Sequence, residues 1–422
     1  FFPSVGLGWV ISNESFFEPL TNVIQYLKVR GTWGQVGNSQ ISGRRFAYLA
    51  TVTDSSSTSY TFGKNMDQNY GTTAIDEYAV DVTWEVADKT DIGVDMRLLN
   101  NKLNLQFDYF KESREGIYLR RSSIPSYVGM INNPYGNIGK VENKGFELSV
   151  NYANSWGGDW SLSLMGNYSF NRNKVLEDDS TVVYPWQNTI GNKVGQRFGL
   201  VALGLFESYG EIAASPVQTG DTRPGDIKYK DINGDGKIDY DDWGYFGRSN
   251  RPELTFGLNL NFEWNGFDFN AQFTGGALFD VSLTGTYYNG YDDNTIWTQT
   301  FKEGGNSPLY LVENAWSVDN PDGTFPRLTL GSPGHGGDNG VSCSFWWRDG
   351  KYVRLKSAQL GYTLPKKWMS HLGVSSLRLF VEGQNIFTID GLPKGIDPES
   401  PGVNNGYYPQ QRTIMGGITL TF

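Results

Sequence analysis

The stretch LTFGLNLNFEWNGFDFNAQFT, residues 254–274, decides the fold class. Apolar and polar residues alternate on both sides of Asn265-Gly266. That period belongs to a strand with one apolar and one polar face. Asn-Gly suits a two-residue hairpin turn, because both positions need positive φ. The same alternation recurs in 160–170 (Trp160, Leu162, Leu164, Tyr168, Phe170), and Asn100-Asn101 joins 90–98 to 102–110. About eleven such runs span the chain: 4–12, 25–36, 88–98, 102–112, 144–154, 159–170, 253–263, 267–276, 352–363, 376–387 and 412–422. The run 352–363 changes phase between Leu355 and Ala358, which predicts a β-bulge.

The connections sort by length. Those at 99–101, 155–158 and 264–266 are short, and those at 13–24 and 364–375 are of medium length. Those at 37–87, 113–143, 171–252, 277–351 and 388–411 are long, so every second connection is long. A soluble sandwich has no reason to keep that rule, whereas a transmembrane antiparallel β-barrel does. The polar face carries Asp95, Arg97, Asp108, Glu147, Arg378 and Glu382, which would suit either solvent or a wet lumen. Trp9, Trp33, Trp160 and Trp264 lie near run ends, where membrane girdles sit. Ile414, Ile418, Leu420 and Phe422 alternate out to a terminal aromatic. These features predict an all-β, multi-pass outer-membrane barrel.

Composition bounds the function. A net charge of -10 over 422 residues argues against a nucleic-acid partner. One cysteine excludes an internal disulfide, and two histidines are too few for a His-rich metal centre. No run is apolar enough for a transmembrane helix. Phe1 opens the chain without initiator Met or signal peptide. With the C-terminus on the periplasmic side, the run 4–12 also runs inward and Phe1 lies outside. Complete bacterial barrels have even strand numbers and an inner N-terminus, so the expectation is the second part of a larger barrel.

Several landmarks appear in order: Leu27-Lys28-Val29-Arg30 with Gly34, Gly37 and Asn38; Trp84-Glu85 with Lys89; and Asn143-Lys144-Gly145-Phe146-Glu147-Leu148. Further on come Gly225-Asp226-Ile227-Lys228-Tyr229-Lys230-Asp231, Asn320-Pro321 with Phe325-Pro326-Arg327, Tyr352 to Lys356, Leu360 to Pro365, and Gly383-Gln384-Asn385. This series resembles the C-terminal barrel portion of the SusC/RagA family of TonB-linked outer-membrane transporters. The resemblance implies a barrel of about 22 strands, of which 1–422 would be the C-terminal half. It also implies import of an oligosaccharide or peptide, driven by TonB, with a SusD-like lipoprotein closing the outer face. The plug and the N-terminal strands would lie outside this chain.

One site is readable from spacing. Residues 231–242 fit the D-x-[DN]-x-[DN]-G calcium loop. Asp231, Asn233 and Asp235 would supply oxygens, Lys237 its carbonyl, and Asp239 a direct or water-mediated ligand. Asp242 takes the twelfth place, where the shorter side chain puts bidentate closure in doubt. The expectation is a structural Ca2+ in an extracellular loop; the plain alternative is a polar turn held by Asx side chains. No catalytic residue emerges, since Gly-x-Ser-x-Gly is absent and no carboxylate pair stands out. Trp346-Trp347 and Tyr287-Tyr288 could stack on sugars, but no substrate residue is assigned. The large loops 171–252 and 277–351 are expected to meet the lid protein. The competing readings are a secreted carbohydrate-binding or hydrolytic β-protein and a passive porin. The barrel reading predicts that the intact protein leaves the membrane fraction only with detergent; recovery in soluble form would overturn it.

Overall fold

The computed structural model describes residues 1–40, 46, 48–64, 66, 68–128, 132–283, 309–328, 339–369, 374–394, 396–399 and 410–422. Among them, eleven strands form one sheet in which each pairs only with its neighbours in sequence. They are β1 (Ser4–Val10), β2 (Ile24–Asn38), β3 (Glu85–Leu98), β4 (Leu103–Arg120), β5 (Tyr135–Trp156), β6 (Trp160–Glu177), β7 (Leu254–Trp264), β8 (Phe267–Ala277), β9 (Tyr352–Thr363), β10 (Ser376–Asp390) and β11 (Thr413–Thr421). Every pairing is antiparallel. All eleven runs read from the alternation are therefore strands.

The register keeps the two faces separate across the sheet. Val94, Phe107, Leu148, Tyr168 and Phe256 are successive cross-strand partners on one face. On the other, Gln106, Ser149 and Asn167 are partners, as are Asn259 and Gln272. The apolar face is bare: Leu360, Val381 and Ile418 are 56%, 57% and 67% exposed. Water would penalise such a surface by about 25 cal/mol per Å², whereas lipid does not. Leu254 to Trp264 supplies 11 residues, the length a tilted strand needs to cross a bilayer.

The turns follow the residues. Trp264 pairs with Phe267 across Asn265-Gly266, whose φ values are 45° and 87°. Leu99, Asn100 and Asn101 all have positive φ in the β3–β4 turn. At the same rim, Trp160 and Trp264 stack with centroids 4.9 Å apart, and Phe267 and Tyr362 lie at 4.4 Å. That is an aromatic girdle at the short-turn end. The bulge expected in the run 352–363 lies between Leu355 and Ser357.

One expectation needs correction. The connection placed at 113–143 is reduced to 121–134, because β4, β5 and β6 run for 18, 22 and 18 residues. These strands exceed a membrane crossing and continue outside it. Beyond Tyr109, Phe146 and Phe170 charged and polar residues stand on both faces, and the apolar residues among them, such as Ile117, Tyr118, Val141 and Val175, keep no steady period, so the alternation fades while pairing persists.

The buried apolar core lies in the loops instead. Ile227, Tyr229, Phe279, Val281, Leu311, Cys343 and Trp346 pack together, with Ile238 and Ile396. Small pairings tie this cap: Ala202–Leu205 with Ile227–Tyr229, Arg197–Gly199 with Gly244–Phe246, and Asp280–Ser282 with Trp347–Asp349. The connections after β6 and β8 are thus one folded unit, with the segment after β10 joined to it.

Gly145 marks a close approach on β5. A Cβ there would stand 2.0 Å from the Phe170 carbonyl oxygen and 2.8 Å from the Phe110 ring. At Gly166 the nearest atom would be 3.8 Å away. Gly145→Ala should abolish the folded, heat-modifiable band of the intact protein on unheated gels, while Gly166→Ala keeps it. Equal behaviour would show that the β5–β6 contact tolerates the methyl group.

Candidate functional site

The polar face and the loop cap carry the chemistry. A hollow of about 570 Å³ lies on the polar face, lined by Glu147, Ser149, Asn151, Asn167, Ser169, Thr255, Asn259, Gln272 and Thr274, among others. A second, of about 320 Å³, continues beside Asp95, Arg97, Asn104 and Gln106. Its lining includes the amides of Asn151, Asn167, Asn259 and Gln272 and the hydroxyls of Ser149, Ser169, Thr255 and Thr274, which offer both donors and acceptors, beside the apolar Met165.

Charged clusters flank this wall. Arg30 bonds Asp91 at 2.9 Å, contacts Asp108 and lies 3.6 Å from Asp95. Arg378 bonds Asp268 at 2.9 Å and Gln359 at 2.7 Å. Toward the outer end, buried Arg354 grips Asp397 at 2.6 Å and pairs with Glu399, pinning the segment after β10 over the polar face.

The ordered landmarks turn out to be tertiary partners. Asn38 donates to Glu85 at 2.7 Å, joining two motifs across β2 and β3. Asp226, fully buried, faces Arg327 Nε at 2.7 Å and accepts from Asn339 Nδ2 at 2.7 Å. Asn339 in turn accepts the Ile227 N–H at 2.8 Å. This ion pair locks the connection after β6 to that after β8. Sequence reasoning missed both pairings; the motifs were visible, but their partners were far away in sequence.

The structure places the predicted calcium-loop residues at the edge of the cap. Asp231 accepts from Gly234 and Gly236 at 2.6 and 2.9 Å. Asn233 accepts from Asp235, and Asp235 from Lys237, each at 2.9 Å. Asp239 accepts from Asp241 at 2.9 Å. Asp242 is fully buried, and its two oxygens accept from Ile232, Asn233 and Asp239. The twelfth position is therefore a backbone clamp, satisfied by three N–H groups. Ile238, the eighth, anchors the loop in the cap core. Among the described residues no group of three His, Cys, Asp or Glu is gathered as a metal site.

The aromatic candidates resolve in part. Trp346 is buried and donates to the Asn339 carbonyl at 3.0 Å, and Trp347 lies beneath Arg197 at 3.8 Å. Both serve packing. Tyr287-Tyr288, His335 and His371 lie outside the described residues.

Residues 1–386 match the family model described as TonB dependent receptor-like, beta-barrel. The chain belongs to that family. It is an outer-membrane β-barrel protein, similar in sequence and fold to the SusC/RagA transporters. It is 29% identical to TonB-dependent receptor P3 of Formosa agariphila, with all of this chain and 42% of that protein aligned. TonB-dependent receptor SusC of Bacteroides thetaiotaomicron is 27% identical, over all of this chain and 40% of its own length. A solved structure titled the RagAB peptide transporter superposes with a TM-score of 0.67 at 21% identity, covering all of this chain and 43% of that one. The chain thus spans less than half the length of these relatives.

Cys343 reports on the cap. It is fully buried, and burial pushes its thiol up to about 11. It should resist maleimide in the folded protein at pH 8. Asp226→Ala leaves Arg327 without its buried partner, a loss of roughly 3–5 kcal/mol. Cys343 should then label readily, and unchanged protection would show that the ion pair does not hold the cap.

Proposed function

We propose that this chain forms the C-terminal half of the barrel of a TonB-dependent importer of the SusC/RagA kind, which takes up an oligosaccharide or peptide. The polar wall and its 570 Å³ hollow carry this reading. A solute passing along it meets exchangeable donors and acceptors rather than one tight site. Other strands of the same barrel complete the pairing of β1 and β11, since an open edge in lipid leaves backbone groups unsatisfied. TonB engages a part of the receptor outside these residues. A SusD-like surface lipoprotein meets the cap, where Tyr209, Val217 and Val318 are exposed. The bare apolar face disfavours the secreted carbohydrate-binding or hydrolytic alternative.

Cells expressing the intact receptor test this reading. Replacing Asn167, Asn259 and Gln272 together by Leu should cut solute uptake roughly a hundredfold without loss of folded receptor, each of the lost hydrogen bonds being worth roughly 1 kcal/mol. Uptake that persists without TonB would mean a passive pore. Tyr209→Asp with Val318→Asp should weaken co-purification of the lipoprotein, and undiminished co-purification would move the partner elsewhere.

We further propose a structural Ca2+ at 231–242, with Asp231, Asn233, Asp235, Lys237 and Asp239 as its ligands and Asp242 as the clamp behind them. Crowded carboxylates repel, and an extracellular cation of about 10⁻⁴–10⁻³ M affinity would relieve that. Chelator, or Asp231→Ala with Asp235→Ala, should make 225–245 protease-sensitive. Chelator-independent proteolysis would leave a polar turn alone.

A further inference from the structure

The outer, lipid-facing side of β4–β6 carries a row of cations at one level. Lys111 lies directly opposite Lys144, and Lys144 opposite Arg172. The row beneath is apolar on the same face: Tyr109, Phe146 and Phe170, then Leu254 on β7. Phe146 stacks at 5.7 Å on Tyr168 and 5.6 Å from Phe170. The cations therefore begin where the apolar band ends, on the long-loop side. Leu103 to Lys111 is roughly nine residues of β4, at the lower end of the 9–11 that a tilted strand uses to cross the hydrocarbon layer.

Like charges directly opposite one another repel, so this register is unfavourable unless anions meet it. The protein supplies only some. Lys111 and Lys144 share Glu142, at 2.9 and 3.4 Å, and Arg172 shares the buried Glu253 with Lys193. Lys174, exposed, lies opposite Glu142. Asp88 lies on the same face, opposite Ser113. Against it, Glu142 and Glu253, the five cations Lys111, Lys144, Arg172, Lys174 and Lys193 leave two positive charges in excess, on a chain whose net charge is -10. Lys111 and Lys144 remain half exposed. One row further out the balance reverses, with Lys140 between Glu115 and Glu177. Positive charge is thus confined to the headgroup level, above an aromatic row, where cations meet anionic lipid.

We infer that Lys111, Lys144, Arg172 and Lys174 form a docking site for the phosphate of a phosphorylated glycolipid in the outer leaflet. The acyl chains lie along the apolar face over Phe146 and Phe170, while the phosphate sits between the lysines. The inference rests on membrane orientation and not on the proposed cargo.

The intact receptor in phosphatidylcholine nanodiscs, titrated with lipid A and with dephosphorylated lipid A, tests this site. Wild type should retain lipid A alone, and inorganic phosphate on the order of 10 mM should not displace it, because buried acyl chains anchor the lipid and free phosphate has none. Lys111→Gln with Lys144→Gln should lower retention roughly ten- to thirty-fold. Lys366→Gln with Lys367→Gln, at the short-turn rim, should change nothing. Equal retention of the dephosphorylated lipid by wild type would overturn the proposal even if the double variant failed to fold. So would an undiminished double variant, or displacement by free phosphate.

Discussion

Every backbone N–H and C=O that enters lipid has to find a partner within the protein, and this demand governs the rest of the molecule. An eleven-strand meander meets it by pairing each strand only with its sequence neighbours. Once the ladder is continuous, period-two alternation sends one side chain to lipid and the next to water. Phe107, Leu148 and Tyr168 face out as partners, and Gln106, Ser149 and Asn167 face in. The apolar face needs no core of its own, because lipid covers it.

The cap obeys different physics. Outside the membrane the long connections are in water and have to bury apolar surface against each other. They do so around Ile227, Tyr229, Phe279 and Trp346, giving the chain its one cluster of fully buried residues among those described. The pair of buried Asp226 and partly buried Arg327 specifies which loop meets which. Charge inside such a core is costly unless matched, so the pair acts as a registration device as much as a source of stability. Arg354 extends the same logic to the segment after β10, drawing Asp397 and Glu399 over the mouth of the polar wall.

The residues of the landmark motifs divide along this line. Asn38 and Glu85 meet across adjacent strands, so their pairing follows from register. Asp226 and Arg327 meet through the cap, where no periodicity points from one to the other. The acidic stretch 231–242 belongs to both worlds. Its Asx turns follow from local spacing, but the burial of Asp242 depends on Ile238 reaching the cap core.

Strand number, order, the Asn265-Gly266 turn and the bulge near Leu355 were legible in the sequence, because alternation and turn chemistry are local and each strand pairs with the next. The lengths of β4, β5 and β6 were not: beyond the bilayer charged residues enter both faces, and backbone pairing continues without a steady hydrophobic period to mark it. The cap core, the Asp226–Arg327 pair and the cation row of Lys111, Lys144 and Arg172 were decided only in three dimensions. Each joins residues whose relation depends on register or on loop packing, and long-range contacts of that kind leave no period to read in the chain.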